Sequence, residues 1–227
     1  MRDRGCALII MGFMSLVFLA IGVGVGLFAA GETSREARAI AALPELDVAG
    51  FRQTANGDLV VVTGGLVDNA DLASDEGFVV YWEQEWDVEY DDEDGWEGDW
   101  STVRTVAPDC TLSFAGSRLV LYHNAEVDLD NPPHETTVYI PNSGQTVEGI
   151  VEGTIRHVGF KDDDPVTAVG RKTDGEGLTP DRLFSGDRAA LVKYLQGEAV
   201  TLRIVGGIFA LVAVGLMIAS VVAIFRR

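Results

Sequence analysis

Two uninterrupted apolar runs, one at each end of the chain, limit what it can fold into. Residues 6–30 (CALIIMGFMSLVFLAIGVGVGLFAA) form a run of 25 without a charge, and residues 204–225 form another of 22. A helix of about 20 apolar residues crosses the hydrocarbon core of a bilayer, so both runs are long enough to span. A cleaved signal peptide is the competing reading of the first. Signal peptides, however, have apolar regions of about 7–15 residues that end at a small-x-small site. Phe28 puts a bulky residue where a small one belongs, and the RDRG ahead of Cys6 is no lipoprotein signal. An uncleaved anchor is expected.

The flanks set the expected orientation. Arg2 and Arg4 precede the first run and Arg226 and Arg227 follow the second, and positive flanks stay in the cytoplasm. The sequence thus divides into a first transmembrane helix (1–30), an extracytoplasmic segment (31–203) and a second transmembrane helix with a short basic tail (204–227). The whole is expected as an integral protein of a prokaryotic inner or plasma membrane. The chain has 35 acids and 17 bases; removing Asp3 and the four terminal arginines leaves 34 against 13 in the middle segment, a net of −21. That charge repels nucleic acid and anionic head groups, which excludes nucleic-acid binding. With only two cysteines, Cys6 and Cys110, the segment can form neither an internal disulfide nor a thiolate zinc site.

Between the spans the hydrophobic period changes twice. TSREARAIAAL, capped at Thr33 or Ser34 and stopped by Pro44, has a helical pattern. From Asp58 onward short runs of Val, Ile, Tyr and Phe alternate with turn residues. DLVVVTGGLV reads as a strand bent at Gly64 and Gly65, and TLSFAGSRLVLYH as a hairpin turning at Ala115, Gly116 and Ser117. TTVYI, VEGIVEGTIRHVGF and DPVTAVGRKT supply further strands. Turns about every 8–12 residues suggest a small barrel or sandwich. SGDRAALVKYLQGEAVTLR, with Ser185 as cap, returns to helical spacing and leads into the second span. Both helical stubs are expected to act as stalks that hold the domain beside the bilayer.

The most unusual stretch is YWEQEWDVEYDDEDGWEGDW, residues 81–100, which holds all four tryptophans and ten acids. Strand parity separates the two. Phe78, Val80, Trp82, Gln84, Trp86, Val88 and Tyr90 fall on one face, and Val79, Tyr81, Glu83, Glu85, Asp87 and Glu89 on the other. DDEDG turns the chain; Trp96, Gly98 and Trp100 then return on the aromatic face, and Glu97 and Asp99 on the acidic one. A long hairpin projecting past the barrel is expected, with Trp82, Trp86, Trp96 and Trp100 as a contact surface. The acids are open to three readings: a solvated face that blocks edge-to-edge aggregation, a dock for a basic protein, or a divalent-cation site at Asp91, Asp92, Glu93 and Asp94. An EF-hand register fails, because Gly95 at position 6 puts Tyr90 at 1 and Ser101 at 12.

Catalytic signatures are absent from the sequence. His123, His134 and His157 have no ligand spacing, and no nucleophile elbow, Walker loop or dinucleotide fingerprint occurs. No cofactor, small-molecule substrate or enzymatic activity is therefore expected. The spans carry a packing signal instead. Gly22 and Gly26, Gly206 and Ala210, and Gly215 and Ala219 place small residues four apart, which lets helices approach closely in lipid. Such faces suit pairing of the two spans or contact with a larger membrane complex.

The order of parts resembles the GIDE family. An anchor is followed by REARAIAALPELDV, GDLVVVTGGLV, VVYWEQEW, Trp100, CTLSFAGSRLVLY and DPVTAVGRKTDGEGLTPDRLF, and then by a second span. The resemblance covers most of the chain. It implies a "beside a membrane" domain between two transmembrane helices, a mainly β, OB-like or NfeD-like small barrel used for protein interaction. Eukaryotic members are ubiquitin ligases with a RING after the second span; this chain carries no RING cysteines, so the ligase activity is not implied. The expectation is a membrane α+β protein, an accessory or scaffold subunit whose partners are the bilayer and proteins of a membrane complex.

Overall fold

The computed structural model describes residues 2–44, 46, 48–67, 74, 76–92, 95–114, 116–174 and 177–225, with the backbone alone at 2–9 and 224. The chain divides into two compact units, Met1–Ala42 with Val192–Arg227, and Leu43–Leu191.

The first unit is helical. α1 (Arg2–Val23) passes through a π-helical turn at Gly24–Ala29 into α2 (Ala30–Ala42), and α4 (Arg188–Phe225) supplies the second helix from Val192 onward. The apolar helices Ile10–Ala42 and Arg188–Ala223 contain 33 and 36 residues. At about 1.5 Å per residue each is about 50 Å long, more than the hydrocarbon core requires. Both are long and apolar enough to cross a membrane. Phe13, Leu16, Leu27, Phe28, Ile208 and Leu211 are all more than half exposed, the reverse of a core helix.

Small residues let the two helices touch. A Cβ added to Gly22 would lie 2.7 Å from the Gly206 carbonyl oxygen and 2.9 Å from the Ala210 nitrogen; one added to Gly206 would lie 2.5 Å from the Gly26 backbone. Ser15 Oγ donates to the Ala213 carbonyl at 2.8 Å, and Phe18 stacks on Phe209 at 5.7 Å between ring centroids. Around a Cβ added to Gly215, by contrast, there is nothing within 4 Å. No separate stub helix begins at Thr33 or Ser34. Their hydroxyls bond back to the Ala29 and Ala30 carbonyls, as they do inside a helix, and Ser34 Oγ also accepts from Arg203 Nη2 at 2.7 Å. In the π turn the Ala30 N–H donates to the Val25 carbonyl, five residues back.

The second unit is mostly β. β1 (Leu59–Val67), β4 (Cys110–Phe114), β5 (Ser117–Leu121), β11 (Pro165–Lys172) and β12 (Gly177–Ser185) close into a five-stranded barrel. All barrel pairs are antiparallel except β5 with β12. β6 (Asp128–Asp130) adds in parallel to β12, where Arg182 pairs with Asp130 and Asp128. Gly64 stays in register opposite Val166 of β11, and β1 takes up its pairing with β4 at Gly65. A Cβ on Gly64 would collide with the Ser113 carbonyl of β4, so glycine is needed where three strands crowd.

The barrel interior is filled by Val60, Val62, Leu66, Leu112, Leu119, Leu121, Val166, Ala168, Leu178 and Leu183, with the Cys110 thiol among them. Val79, Val80 and Phe160 join that core from a second sheet of order β3-β2-β10-β7. It comprises β2 (Phe78–Asp91), β3 (Gly95–Val106), β10 (Ile155–Lys161) and β7 (His134–Tyr139). A two-stranded ribbon, β8 (Thr146–Val147) with β9 (Ile150–Val151), precedes β10. The aromatic and acidic hairpin is thus anchored rather than free. β2 pairs with β10 from Phe78 to Glu85, and only its outer part is a bare two-stranded ribbon.

Three further elements carry weak local patterns. β12 is interrupted by Pro180 and Asp181, which sit at a register shift between Val169 and Gly170 of β11, a place that tolerates proline. α4 starts at Arg188 with Asp187 as its cap, through Ala190 N–H donating to Oδ1 at 2.8 Å, rather than at Ser185. α3 (Val48–Gln53) is a short helix whose end is closed by Lys172. The Lys172 ammonium, buried at 5% exposure, donates to the Arg52 and Thr54 carbonyls at 2.9 and 2.6 Å and lies 5.4 Å over the Phe51 ring. It satisfies carbonyls that a helix end leaves open. Lys172→Met leaves both without their donor, which costs about 2–3 kcal/mol. The expected drop in Tm of the full chain is about 5–10 °C, and a change under about 1 °C would contradict the capping role.

Candidate interaction surface

Period-2 alternation and an antiparallel register place the hairpin side chains opposite one another. Trp86 faces Trp100, Val88 faces Gly98 and Tyr90 faces Trp96; on the other side Asp87 faces Asp99 and Glu89 faces Glu97. The aromatic rings meet edge to face, Trp86 with Trp100 at 5.2 Å and 61°, and Tyr90 with Trp96 at 5.1 Å and 64°, the geometry ring quadrupoles favour. Gly98 makes room for the Trp86 indole; any Cβ there would overlap the ring.

The four tryptophans have different surroundings. Trp82 pairs with Thr105 and packs on the barrel core. Trp86 is buried, Trp100 half-buried, and Trp96 is 51% exposed beside Tyr90 at 59%. Trp86 is opposite Trp100 and Tyr90 opposite Trp96, while Trp82, four residues nearer the barrel, has no tryptophan opposite it; at that base a bulge shifts the register. Glu83 faces Arg104 and Gln84 faces Thr102, which leaves Val103 over. Trp100 is covered by the guanidinium of Arg156, its carbon 4.0 Å from the ring centre. Arg156 is itself fixed by Nε donating to Gln84 Oε1 at 2.9 Å and Nη1 donating to Glu135 Oε1 at 2.8 Å.

Asp87, Glu89, Glu97, Asp99 and Ser101 line a shallow groove of about 320 Å³ on the acidic face. Of the candidate cation ligands, Asp91 ends β2 and Asp92 lies in the turn, both exposed, while Glu93 and Asp94 lie outside the described residues. Among the described residues, no three His, Cys, Asp or Glu side chains are placed to hold a metal ion.

A second cluster, which the sequence did not single out, lies nearer the barrel. The buried His157 ring lies 4.3 Å from the Tyr81 ring, centre to centre, tilted at 37°. Its Nε2 is 3.4 Å from Glu83 Oε2 and its Nδ1 is 3.5 Å from Glu76 Oε2. Arg104 Nη2 donates to the same Glu83 oxygen at 2.8 Å. Burial pushes the Tyr81 phenol above its ordinary pKa. The Arg104 hydrogen bond holds the Glu83 carboxyl below the usual carboxylate range, against burial. No local sequence pattern marks this cluster; a bulge between Glu83 and Gln84 aligns Arg104 with Glu83. His134, by contrast, pairs with Asp164 at 3.0 Å, and His123 Nδ1 lies 2.7 Å from the Ala107 carbonyl oxygen. The three histidines do not converge.

In the helical unit Gly22 and Gly26 face Gly206 and Ala210 across the seam between the two helices, so these four small residues meet one another. No family model, curated protein or solved structure matches the chain.

The lowered pKa of Glu83 sets a pH dependence. A carboxyl depressed in the folded state contributes stability above its unfolded pKa, about 4.3, and loses it as pH falls through the lower folded value. Arg104 is 61% exposed on its side chain, so solvent screens the pair and the contribution is small. Arg104→Gln is expected to lower Tm by about 1–3 °C at pH 7. The gap between the variant and the unsubstituted chain closes as pH falls below about 4. A gap that stays constant down to pH 3 would contradict the assignment.

Proposed function

We propose that the chain is a membrane-anchored, non-enzymatic accessory or scaffold protein that presents an acidic interaction domain beside the bilayer. The observation that carries this reading is the outer hairpin. It holds two exposed aromatic rings on one face and two directly opposed carboxylate pairs on the other. Carboxylates facing one another across strands repel, and a basic partner relieves that repulsion. Aromatic residues are enriched where proteins meet.

The anchoring is supported by the two apolar helices. With both spans in a membrane, the arginine-rich ends lie in the cytoplasm and the β unit lies outside it. The OB-like reading is supported by connectivity. Numbered among themselves along the chain, the barrel strands run 1-2-3-5-4-1 with strands 3 and 5 parallel, the order of an OB barrel. The hairpin is inserted between strands 1 and 2, on the loop that OB folds often use for ligands. This is the arrangement the GIDE "beside a membrane" resemblance implies.

Purification of the full chain from its native membrane in mild detergent tests the proposal. It is expected to elute in an assembly larger than the chain, and Asp87→Asn with Glu89→Gln, Glu97→Gln and Asp99→Asn is expected to release the partner. A monodisperse monomer with no companion protein would overturn the reading.

A further inference from the structure

Building on the interaction-module reading, we infer that the Tyr90–Trp96 pair is a seat for an arginine of a basic segment in a partner protein. The chain already builds one such seat internally. Trp86 and Trp100 make an edge-to-face rung at 5.2 Å, and the Arg156 guanidinium covers Trp100 at 4.0 Å. Planar guanidinium groups stack on aromatic faces better than the compact ammonium of lysine. Gln84 and Glu135 accept the hydrogen bonds that fix the guanidinium edge.

Four residues further out along each strand, on the same hairpin face, the same rung recurs. Tyr90 and Trp96 meet at 5.1 Å and 64°, directly opposed in register. Here the third strand has ended, since β10 pairs no further along β2 than Glu85, so no arginine of that strand reaches the outer pair. Both rings are more than half exposed. Between the rungs, the Trp86 indole lies over Gly98 of β3.

Charge complementarity selects the occupant. The ribbon that carries the outer rung also carries Asp87, Glu89, Glu97 and Asp99 on its reverse and Asp91 and Asp92 at its end. A second copy of this acidic ribbon would be repelled, as would an anionic head group, whereas a basic segment is attracted. The rings then select arginine among basic residues.

The test uses the full chain in phosphatidylcholine nanodiscs with two peptides, alternating Gly-Arg and Gly-Lys, each with four cations. Binding is followed by calorimetry and tryptophan fluorescence. The arginine peptide is expected to bind at least threefold more tightly than the lysine peptide. Trp96→Ala is expected to remove that preference by weakening the arginine peptide more than the lysine peptide, while Trp96→Phe retains part of it. Trp96 is half exposed, so the variant is expected to fold, and an unchanged melting curve verifies this. Equal affinities for the two peptides, a preference that survives Trp96→Ala, or no binding of either peptide would each overturn the inference. So would burial of Trp96 that follows protein concentration, which assigns the rung to self-association. If the arginine preference is absent yet a protein still co-purifies from native membrane, the inference fails and the accessory role stands. If nothing co-purifies either, both fail.

Discussion

The register between β2 and β3 decides what each face of the hairpin presents. With Trp86 opposite Trp100, Trp86, Tyr90, Trp96 and Trp100 lie on one side and Asp87, Glu89, Glu97 and Asp99 on the other. A slip of one residue would bring carboxylates onto the aromatic face. The two sides pull in opposite directions, and magnitudes show which prevails. Two unit charges about 5 Å apart in water repel by about 0.8 kcal/mol before salt screening, so the Asp87–Asp99 and Glu89–Glu97 pairs cost about 1–2 kcal/mol together. Burying one tryptophan removes about 150–250 Å² from water, at most about 4–6 kcal/mol as an upper bound. Trp86 alone, at 4% exposure, outweighs the acidic face. The hairpin therefore tolerates its opposed carboxylates.

That hairpin is useful because the barrel holds its base. Val79 and Val80 belong to the barrel core while Tyr90, ten residues on, is exposed. One strand thus runs from a fully packed interior to a surface. The barrel's closure depends on local accommodations: Gly64 against the Ser113 carbonyl, Pro180 at the β11–β12 irregularity, and Lys172 closing α3. At Gly64 a different residue would clash, and without Lys172 two carbonyls would lose a donor.

Much of this was legible in the sequence, for identifiable reasons. The apolar end runs are continuous and the alternation of 78–90 is periodic over many residues; the runs became helices long and apolar enough to cross a membrane, and the alternation became a strand. The Gly116 turn between β4 and β5 was equally plain. What was missed lacked a local period. β12 is broken by Pro180 and Asp181, β6 is three residues long, and α3 depends on a lysine more than a hundred residues away. The bulge that leaves Val103 over is invisible to a strict two-residue count, and it is what brings Arg104 to Glu83. Long-range pairing also made the difference at His157, whose neighbours Glu76, Tyr81 and Glu83 lie about seventy to eighty positions earlier in the numbering.

The most direct measurement of the central claim is the ring-to-ring register of the hairpin, by nuclear Overhauser contacts in the full chain with protonated Trp and Tyr on a deuterated background in nanodiscs. Contacts between Trp86 and Trp100 and between Tyr90 and Trp96, with none between Trp82 and Trp100, are the result that separated aromatic and acidic faces require. Cross-strand contacts from Trp82 to Trp100, or the absence of any between Tyr90 and Trp96, would contradict it.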